Sequence, residues 1–419
     1  LLLQPVFLGL SGILASVTQI HGRFLLYATA PLLYNGGIIL GIAALYPLFG
    51  LPGIAFGVVL GAFLHMGIQI PFITRSGYGR LSDMRFNMRE LWAIISVSVP
   101  RTVSIAANHI ALLVLVATAA TLGFGAVSVF NLAFNLQSAP LAIIGASYSV
   151  AAFPTLARYF SSGDTVLFVN QISTAARHII FWSFPLMALF VVLRAQIVRV
   201  ILGTGAFDWS DTRLTAAALA LFVISLAAQA LSLLFVRGYY ASGNTWKPLA
   251  VNVTSAVGIV GTSFWFLHIF NTNDTWRYFV EQLLRVSDVP GTAVLMLPLA
   301  YTIFAILNVV VYIVLFERDF KLLHTGIVRT AFHSFSAAVL AGFFAHLTLR
   351  VLSLIVNIDT FLGIFAQGTI AGIIGVTAGI VTLVLLKSRE INEAWNTLHK
   401  KIWLVRVIFP SGVDRGTDV

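Results

Sequence analysis

The sequence contains no cysteine, which excludes disulfides, thiolate metal ligands and a cysteine nucleophile. Charge is scarce too: only 10% of the 419 residues are Asp, Glu, Lys or Arg, where a soluble domain carries about a quarter. Acidic groups are the scarcest, fifteen against twenty-five basic ones, and nearly all fall between long apolar runs. Neither a carboxylate dyad nor a metal site can therefore be built within those runs, and the nine histidines show no HExxH and no paired ligand spacing. A Walker A lysine loop is also missing, so this chain is not expected to hydrolyse ATP. The first residue is Leu1, with no initiator Met, charged leader or cleavage site, which predicts a fragment lacking its N-terminal portion rather than a signal peptide.

What is present is apolar. Hydrophobic residues make up 59% of the chain and the mean hydropathy is +0.95, a composition that excludes a water-soluble globule and a disordered chain alike. Apolar runs bounded by charge, Pro or Gly cover 1–19, 25–48, 53–74, 91–122, 126–156, 179–202, 214–236, 248–270, 292–316, 330–356 and 361–386, about eleven membrane spans. The stretch 194–207 reads either as the end of the sixth span or as a short interfacial helix after it. A net charge of +10 could suit a nucleic-acid binder, but such a protein gathers its charge on a folded polar face, and here it lies between the runs. No nucleic-acid partner is expected.

The positive charge instead sets topology. With the 75–90 loop placed in the cytoplasm, alternation puts eighteen basic residues inside. Six lie outside, Arg194, Arg199, Arg213, Arg277, Arg285 and Arg350, and Arg101 falls within a span. A three-to-one asymmetry is what the positive-inside rule requires, and it predicts a cytoplasmic C-terminus. An internal repeat agrees with this phase. Pro31, Leu32, Asn35 and Gly41 match Pro248, Leu249, Asn252 and Gly258 in the pattern P-L-x-x-N-x(5)-G, six spans apart. The expected organisation is all-α: residues 1–74 as the last three helices of an N-terminal lobe, 75–90 as a cytoplasmic amphipathic linker, 91–316 as a six-helix C-terminal lobe, 317–387 as two additional helices and 388–419 as a cytoplasmic tail. In the linker, basic residues alternate with Tyr78, Leu81, Met84, Phe86 and Met88, which suits either a surface helix on anionic lipids or a plain inter-lobe connection. The tail allows the same two readings.

Polar residues inside spans are the candidates for function, because each costs free energy in hydrocarbon unless it meets a partner or water. Arg101 follows Pro100 about ten residues into the fourth span. It reads as a cationic group in a cavity or as an arginine reaching for the headgroups. Asn108 shares its helical stripe, with Ile105 and Leu112 between and beyond, and His109 stands beside it. In the fifth span Asn131, Asn135 and Ser138 line one face, which serves either helix packing or a wet path. Asn35, Asn252, Asn308 and Gln367 stand singly, and packing is the default for each.

Several blocks together resemble one family. Leu122, Gly125, Val127 and Ser128, then Ala133, Leu136 and Pro140, then Phe153, Pro154 and Leu156 follow L-x-x-G-x-V-S…A-x-x-L-x-x-x-P…(F/L)-P-x-L. The run Ile201 to Phe207 is similar to a short loop ending in G-x-F. Arg237, Tyr240 and Ala241 with Asn244, Thr245 and Pro248 fit R-x-x-Y-A…(D/N)-T…P, and Gly22, Arg23, Phe24, Pro31 and Asn35 also fit. On these residues the chain resembles the MurJ (MviN) lipid II flippases of the MOP exporter superfamily. The resemblance implies a fourteen-helix fold of which this chain holds the fourth to fourteenth, a cationic central cavity between two lobes, and a groove for a polyprenyl tail at the two extra helices. The family usually carries an arginine where this chain has Asn135, so the cavity charge would rest on Arg101 or on helices this chain lacks.

The expected activity is export of an undecaprenyl-diphosphate-linked peptidoglycan precursor, lipid II, by alternating access. The setting would be the bacterial inner membrane, with no enzymatic chemistry and no cofactor. The expected site residues are Arg101, Asn108, His109, Asn131, Asn135 and Ser138. Drive would come from membrane potential or an ion gradient, anionic lipids would be neighbours, and the protein would act as a monomer. The alternatives are a related flippase for another polyprenyl-linked glycan, a multidrug exporter, which would be expected to need embedded acids, and a non-transporting scaffold, which would need no polar stripe.

Overall fold

The computed structural model describes residues 1–21, 23–76, 88–203, 205, 207–321, 326–356 and 360–393, and all regular elements among them are helical. In chain order these are α1 (Leu3–Ile20), α2 (Phe24–Leu40), a π-turn at Gly41–Leu45, α3 (Tyr46–Phe49), α4 (Leu51–Gly67), α5 (Ile70–Arg75) and α6 (Met88–Thr121). Next come α7 (Ala126–Leu141), a second π-turn at Ala142–Ala146, α8 (Ser147–Ser161), α9 (Thr165–Val192), α10 (Arg194–Leu202), α11 (Trp209–Ile224) and α12 (Leu226–Ala241). The chain continues through α13 (Trp246–Thr272), α14 (Asp274–Leu284), a 3-10 turn at Thr292–Leu295, α15 (Met296–Phe320), α16 (Ile327–Leu352) and α17 (Phe361–Leu385). Among the described residues nine helical stretches are long and apolar enough to cross a bilayer. A tenth is the pair α11 and α12, bent by 43° at Ser225, and the first apolar run is the helix Leu3–Thr18 within α1.

The sixth span needs correcting. Its helix starts at Thr165, fourteen residues before the apolar run, and it ends at Val192 rather than 202. Arg177, which bounded the run in the sequence, is accommodated inside α9 because Glu390 lies 3.8 Å away and Thr174 Oγ1 accepts from its guanidinium at 3.3 Å. Beyond Leu193, α10 is a separate nine-residue helix, which decides for the short-helix reading of this stretch. Helix starts are fixed by polar caps. Asp164 accepts from Leu167 N, Asn273 from Trp276 N and Thr360 from Gly363 N, while Asp208 and Asp211 form a reciprocal capping box ahead of α11.

The chain divides into two compact units, Leu1–Trp92 and Ala93–Val419. In the first, α2 and α4 meet through glycine: a Cβ on Gly41 would lie 2.7 Å from Gly57 Cα, and Gly37 faces Gly61 in the same way. Side chains larger than hydrogen would separate these backbones, and dispersion between them is what binds helices where lipid removes the hydrophobic drive. In the second unit α11 runs through the centre, with every residue from Leu214 to Val223 buried, as expected of a helix apolar on all sides. One layer of aromatic rings, Phe130, Phe134, Phe222 and Tyr301, packs across α7, α11 and α15 at centroid distances of 5.4–6.3 Å. A second layer joins Phe235, Tyr239, Tyr312 and Phe316 on α12 and α15.

Within this unit α16 and α17 pack together and α16 lies along α9. Gly375 on α17 makes the approach close, since a Cβ there would be 2.9 Å from Ala341 O. Glu390, just past α17, ties this pair to α9: Thr330 Oγ1 donates to it at 2.6 Å, Ser388 Oγ at 2.8 Å, and Arg177 is its ionic partner. Burial alone would raise the Glu390 carboxyl, yet these donors and the guanidinium charge outweigh it and hold the group below the usual glutamate range. The predicted linker and tail lie mostly outside the described residues, at 77–87 and 394–419.

Candidate functional site

Two hollows of the second unit meet at the irregular backbone of the fifth span. Pro140 sits in the last turn of α7 and cannot donate to the helical ladder, and five residues of π-turn follow it before α8 resumes. Leu141 lines a pocket of about 300 Å³ whose largely apolar wall carries a set of amides and hydroxyls, whereas Ala139, Pro140, Ile143 and Ile144 line an almost wholly apolar groove of about 640 Å³. The distorted turn therefore turns successive side chains toward two chemically different spaces.

The polar groups of the mixed pocket are Asn108 and His109 of α6, Gln229 and Ser232 of α12, Asn252 and Ser255 of α13, and Tyr301 and Asn308 of α15, set among apolar side chains such as Leu112, Phe134 and Ile259. Two hydrogen-bond networks organise it. In the first, Asn252 Nδ2 donates to Ser104 Oγ at 2.8 Å, while Asn252 Oδ1 accepts from Tyr312 OH at 3.1 Å and Asn308 Nδ2 at 3.4 Å; Ser232 Oγ donates to Asn308 Oδ1 at 3.3 Å. In the second, Gln229 Nε2 donates to Gln137 Oε1 at 3.1 Å and to Ser225 Oγ at 2.9 Å, and Tyr301 OH donates to Gln229 Oε1 at 3.3 Å. Five helices, α6, α7, α12, α13 and α15, are thereby cross-linked by neutral amides and hydroxyls that satisfy one another. The wall can hydrogen-bond a polar guest, but it carries no carboxylate or guanidinium.

The apolar groove runs between α9 and the C-terminal pair. Phe181, Pro185, Leu186 and Leu189 of α9 face Ala341 of α16 and Val376, Gly379, Ile380 and Leu383 of α17 across it. Its chemistry suits a hydrocarbon chain.

Of the residues singled out in the sequence, Asn108 and His109 stand on the wall of the mixed pocket. Arg101 lies two turns earlier on α6, exposed, with its guanidinium 5.1 Å from the ring centroid of Tyr240. Asn131 and Asn135 make no side-chain hydrogen bond among the described residues, the first half-buried and the second exposed, and Ser138 Oγ donates to Phe134 O within its own helix at 2.8 Å. None of these four lines the pocket. From α7 it is Gln137, one residue before Ser138 and fully buried, that joins the networks.

Sequence reading missed Gln229, Ser232, Ser255 and Tyr301 and treated Asn252 and Asn308 as isolated. A signal was present: Gln229 and Ser232, Asn252 and Ser255, and Tyr301 and Asn308 recur at three- or seven-residue spacing, so each pair shares one helix face. Among the described residues no group of three or more His, Asp or Glu is placed to hold a metal ion.

The blocks that carried the family resemblance also have physical roles. Gly125 begins α7 at φ +84, and Gly205 takes φ +67 in the loop that Arg199 closes by donating to Phe207 O at 3.0 Å. Tyr239, buried, donates to Asp319 Oδ2 at 2.8 Å, and Lys247 pairs with the same carboxylate, so the block from 237 to 248 braces α12, α13 and α15.

Comparison with known proteins agrees with this architecture. A structure titled as a lipid II flippase MurJ in an inward closed conformation superposes with a TM-score of 0.64 over 93% of this chain and 73% of that one, at 17% identity, which establishes a shared fold. A probable lipid II flippase MurJ of Borreliella burgdorferi is 24% identical over 279 residues, 65% of this chain and 54% of that protein. Its counterpart in Haemophilus influenzae is 25% identical over 263 residues, 61% and 51% respectively. The chain thus spans about half the length of the curated relatives it matches. The profile of the family described as "Lipid II flippase MurJ" covers residues 1–367, so this multi-pass membrane chain belongs to the MurJ family.

Proposed function

We propose that the chain is the transport body of a lipid II flippase of the bacterial inner membrane, carrying an undecaprenyl-diphosphate-linked peptidoglycan precursor from the cytoplasmic to the outer leaflet. The observation that carries this reading is the adjacency at Pro140: a pocket into which amides and hydroxyls are set on one side of the π-turn, and a groove lined almost entirely by hydrocarbon on the other. A lipid with a large polar head needs both environments at once, and a drug or a scaffold partner does not. The sugar and peptide hydroxyls and amides exchange hydrogen bonds with water for those of Asn108, Gln229, Ser232 and Asn308, while the polyprenyl chain follows α9 and α17. Arg101 supplies a forked cation for the diphosphate, and Asn135 offers a neutral amide where the family resemblance implies an arginine. The lipid's own negative charge couples its movement to membrane potential by about 2.3 kcal/mol per charge per 100 mV. The C-terminus is cytoplasmic, anionic lipids surround the protein, and one copy suffices.

Photo-crosslinking tests the reading directly. A benzophenone side chain at Ser232 in the pocket and another at Ile380 in the groove should each capture lipid II in membranes, and Arg101→Ala should lower both yields without loss of folded protein. Capture at neither position would sink the proposal. Asn135→Arg should fold normally and raise the yield.

A further inference from the structure

A third hollow of the second unit, about 580 Å³, lies at the ends of α9 and α16 and the starts of α10 and α11. Arg194, Arg213, Arg285 and Arg350 all line it. These are four of the six basic residues that charge alternation places on the external side, where the positive-inside bias disfavours them. Four separate helix ends each deliver one guanidinium to the same space. Arg213 is matched, with both nitrogens donating to the Asp288 carboxylate at 2.6 and 2.7 Å. Among the described residues Arg194, Arg285 and Arg350 have no carboxylate within 4 Å. Arg194 makes one long bond, 3.4 Å to Leu284 O, and its guanidinium is held below the usual arginine range by burial and then by the charge of Arg285. Charges brought this close without a counterion repel at a cost that a bound anion would remove.

The surroundings identify the anion's carrier. α14 presents Tyr278, Phe279 and Leu283 outward and buries Val280 and Leu284, the pattern of a helix lying in the headgroup plane. Exposed Trp209 and the apolar Val191, Val192 and Leu349 complete the rim. We infer that this arginine pocket binds the phosphate of a membrane lipid whose headgroup is net anionic, with the acyl or prenyl chain leaving over the apolar rim. Planar guanidiniums from several directions match the tetrahedral array of phosphate oxygens. The inference stands apart from the flippase reading, since any membrane protein with this pocket would bind such a headgroup.

The test uses the full chain purified in uncharged detergent, with dioctanoyl phosphatidylglycerol, farnesyl diphosphate, inorganic diphosphate and dioctanoyl phosphatidylcholine as probes. Affinities are read by thermophoresis or native mass spectrometry. Phosphatidylglycerol or farnesyl diphosphate should bind at least about ten-fold tighter than phosphatidylcholine, and the Arg194→Gln/Arg285→Gln double variant should lose that preference. Arg350 has no side-chain hydrogen bond among the described residues, so Arg350→Gln keeps the fold and should weaken binding by about three-fold or more. A tighter phosphodiester marks a resident lipid, a tighter prenyl diphosphate marks a polyprenyl cargo, and both support the site. Unchanged affinity in both variants, no discrimination against phosphatidylcholine, or inorganic diphosphate binding as tightly as the lipids would overturn it.

Discussion

The helices α2 and α13 carry the same pattern, P-L-x-x-N-x(5)-G, and each packs against the next span of its own unit, yet they solve that contact differently. Directly after α2, Gly41 at the start of the π-turn meets the backbone of Gly57, and Asn35 on α2 is exposed with no side-chain hydrogen bond among the described residues. On α13 the glycine Gly258 meets the ring of Phe304, and Asn252 is buried at the centre of a network linking α6, α13 and α15. One motif thus serves backbone contact in the first unit and a polar wall in the second. The glycine is needed in both because helices in lipid gain stability from close approach, but the amide gains meaning only where other helices bring donors to it.

Substitutions can break this contrast, and their expected sizes differ. Gly57→Leu should be the most severe, more than about 4 kcal/mol, because backbone rather than a movable side chain occupies the space; the readout is loss of monodisperse protein on extraction. Asn252→Leu should cost about 1–3 kcal/mol, since it strands the Tyr312 hydroxyl and the Asn308 amide donor, and it should lower the melting temperature without preventing folding. Gly258→Ala should cost about 1–2 kcal/mol, because half-buried Phe304 can turn aside. If Gly258→Ala proved as damaging as Gly57→Leu, the distinction between the two packing modes would be wrong.

Smaller effects sharpen the same comparison. Glu390 is a charged counterpart of Asn252, a buried acceptor joining three elements, and its lowered pKa gives it a signature in pH. A depressed carboxylate contributes stability that is complete above its unfolded value and fades as pH falls through its folded one. The melting-temperature gap between wild type and Glu390→Gln should therefore be widest near neutrality and close as the medium is acidified below the ordinary glutamate value of 4.5. Asn35→Leu should change stability by less than about 0.5 kcal/mol, and a loss as large as that of Asn252→Leu would show that both copies of the motif build networks.

The candidate site was only half legible in the sequence for a reason visible at Ser138 and Gln137. Spacing placed Asn131, Asn135 and Ser138 on one face, and they do share it. Spacing alone could not say that the neighbouring face, with Gln137, meets α12. Likewise Arg177 looked like the boundary of a span because its partner Glu390 is more than two hundred residues away. The arginines at 194, 213, 285 and 350 were recognisable as exceptions to the charge bias, but nothing along the chain indicated that they converge.

What the amino-acid order determined by itself is local: apolar length sets the spans, proline and glycine set the breaks, polar caps set the helix starts, and basic residues set the expected orientation. Those properties depend on neighbours within a few turns, or on the bilayer as a uniform solvent. Only the tertiary structure decided which amides became a wall, which glycines touch backbone and which arginines share a pocket. Each of those outcomes depends on the rotation of one helix against another, and that angle is fixed by the sum of many weak contacts between residues far apart in the chain.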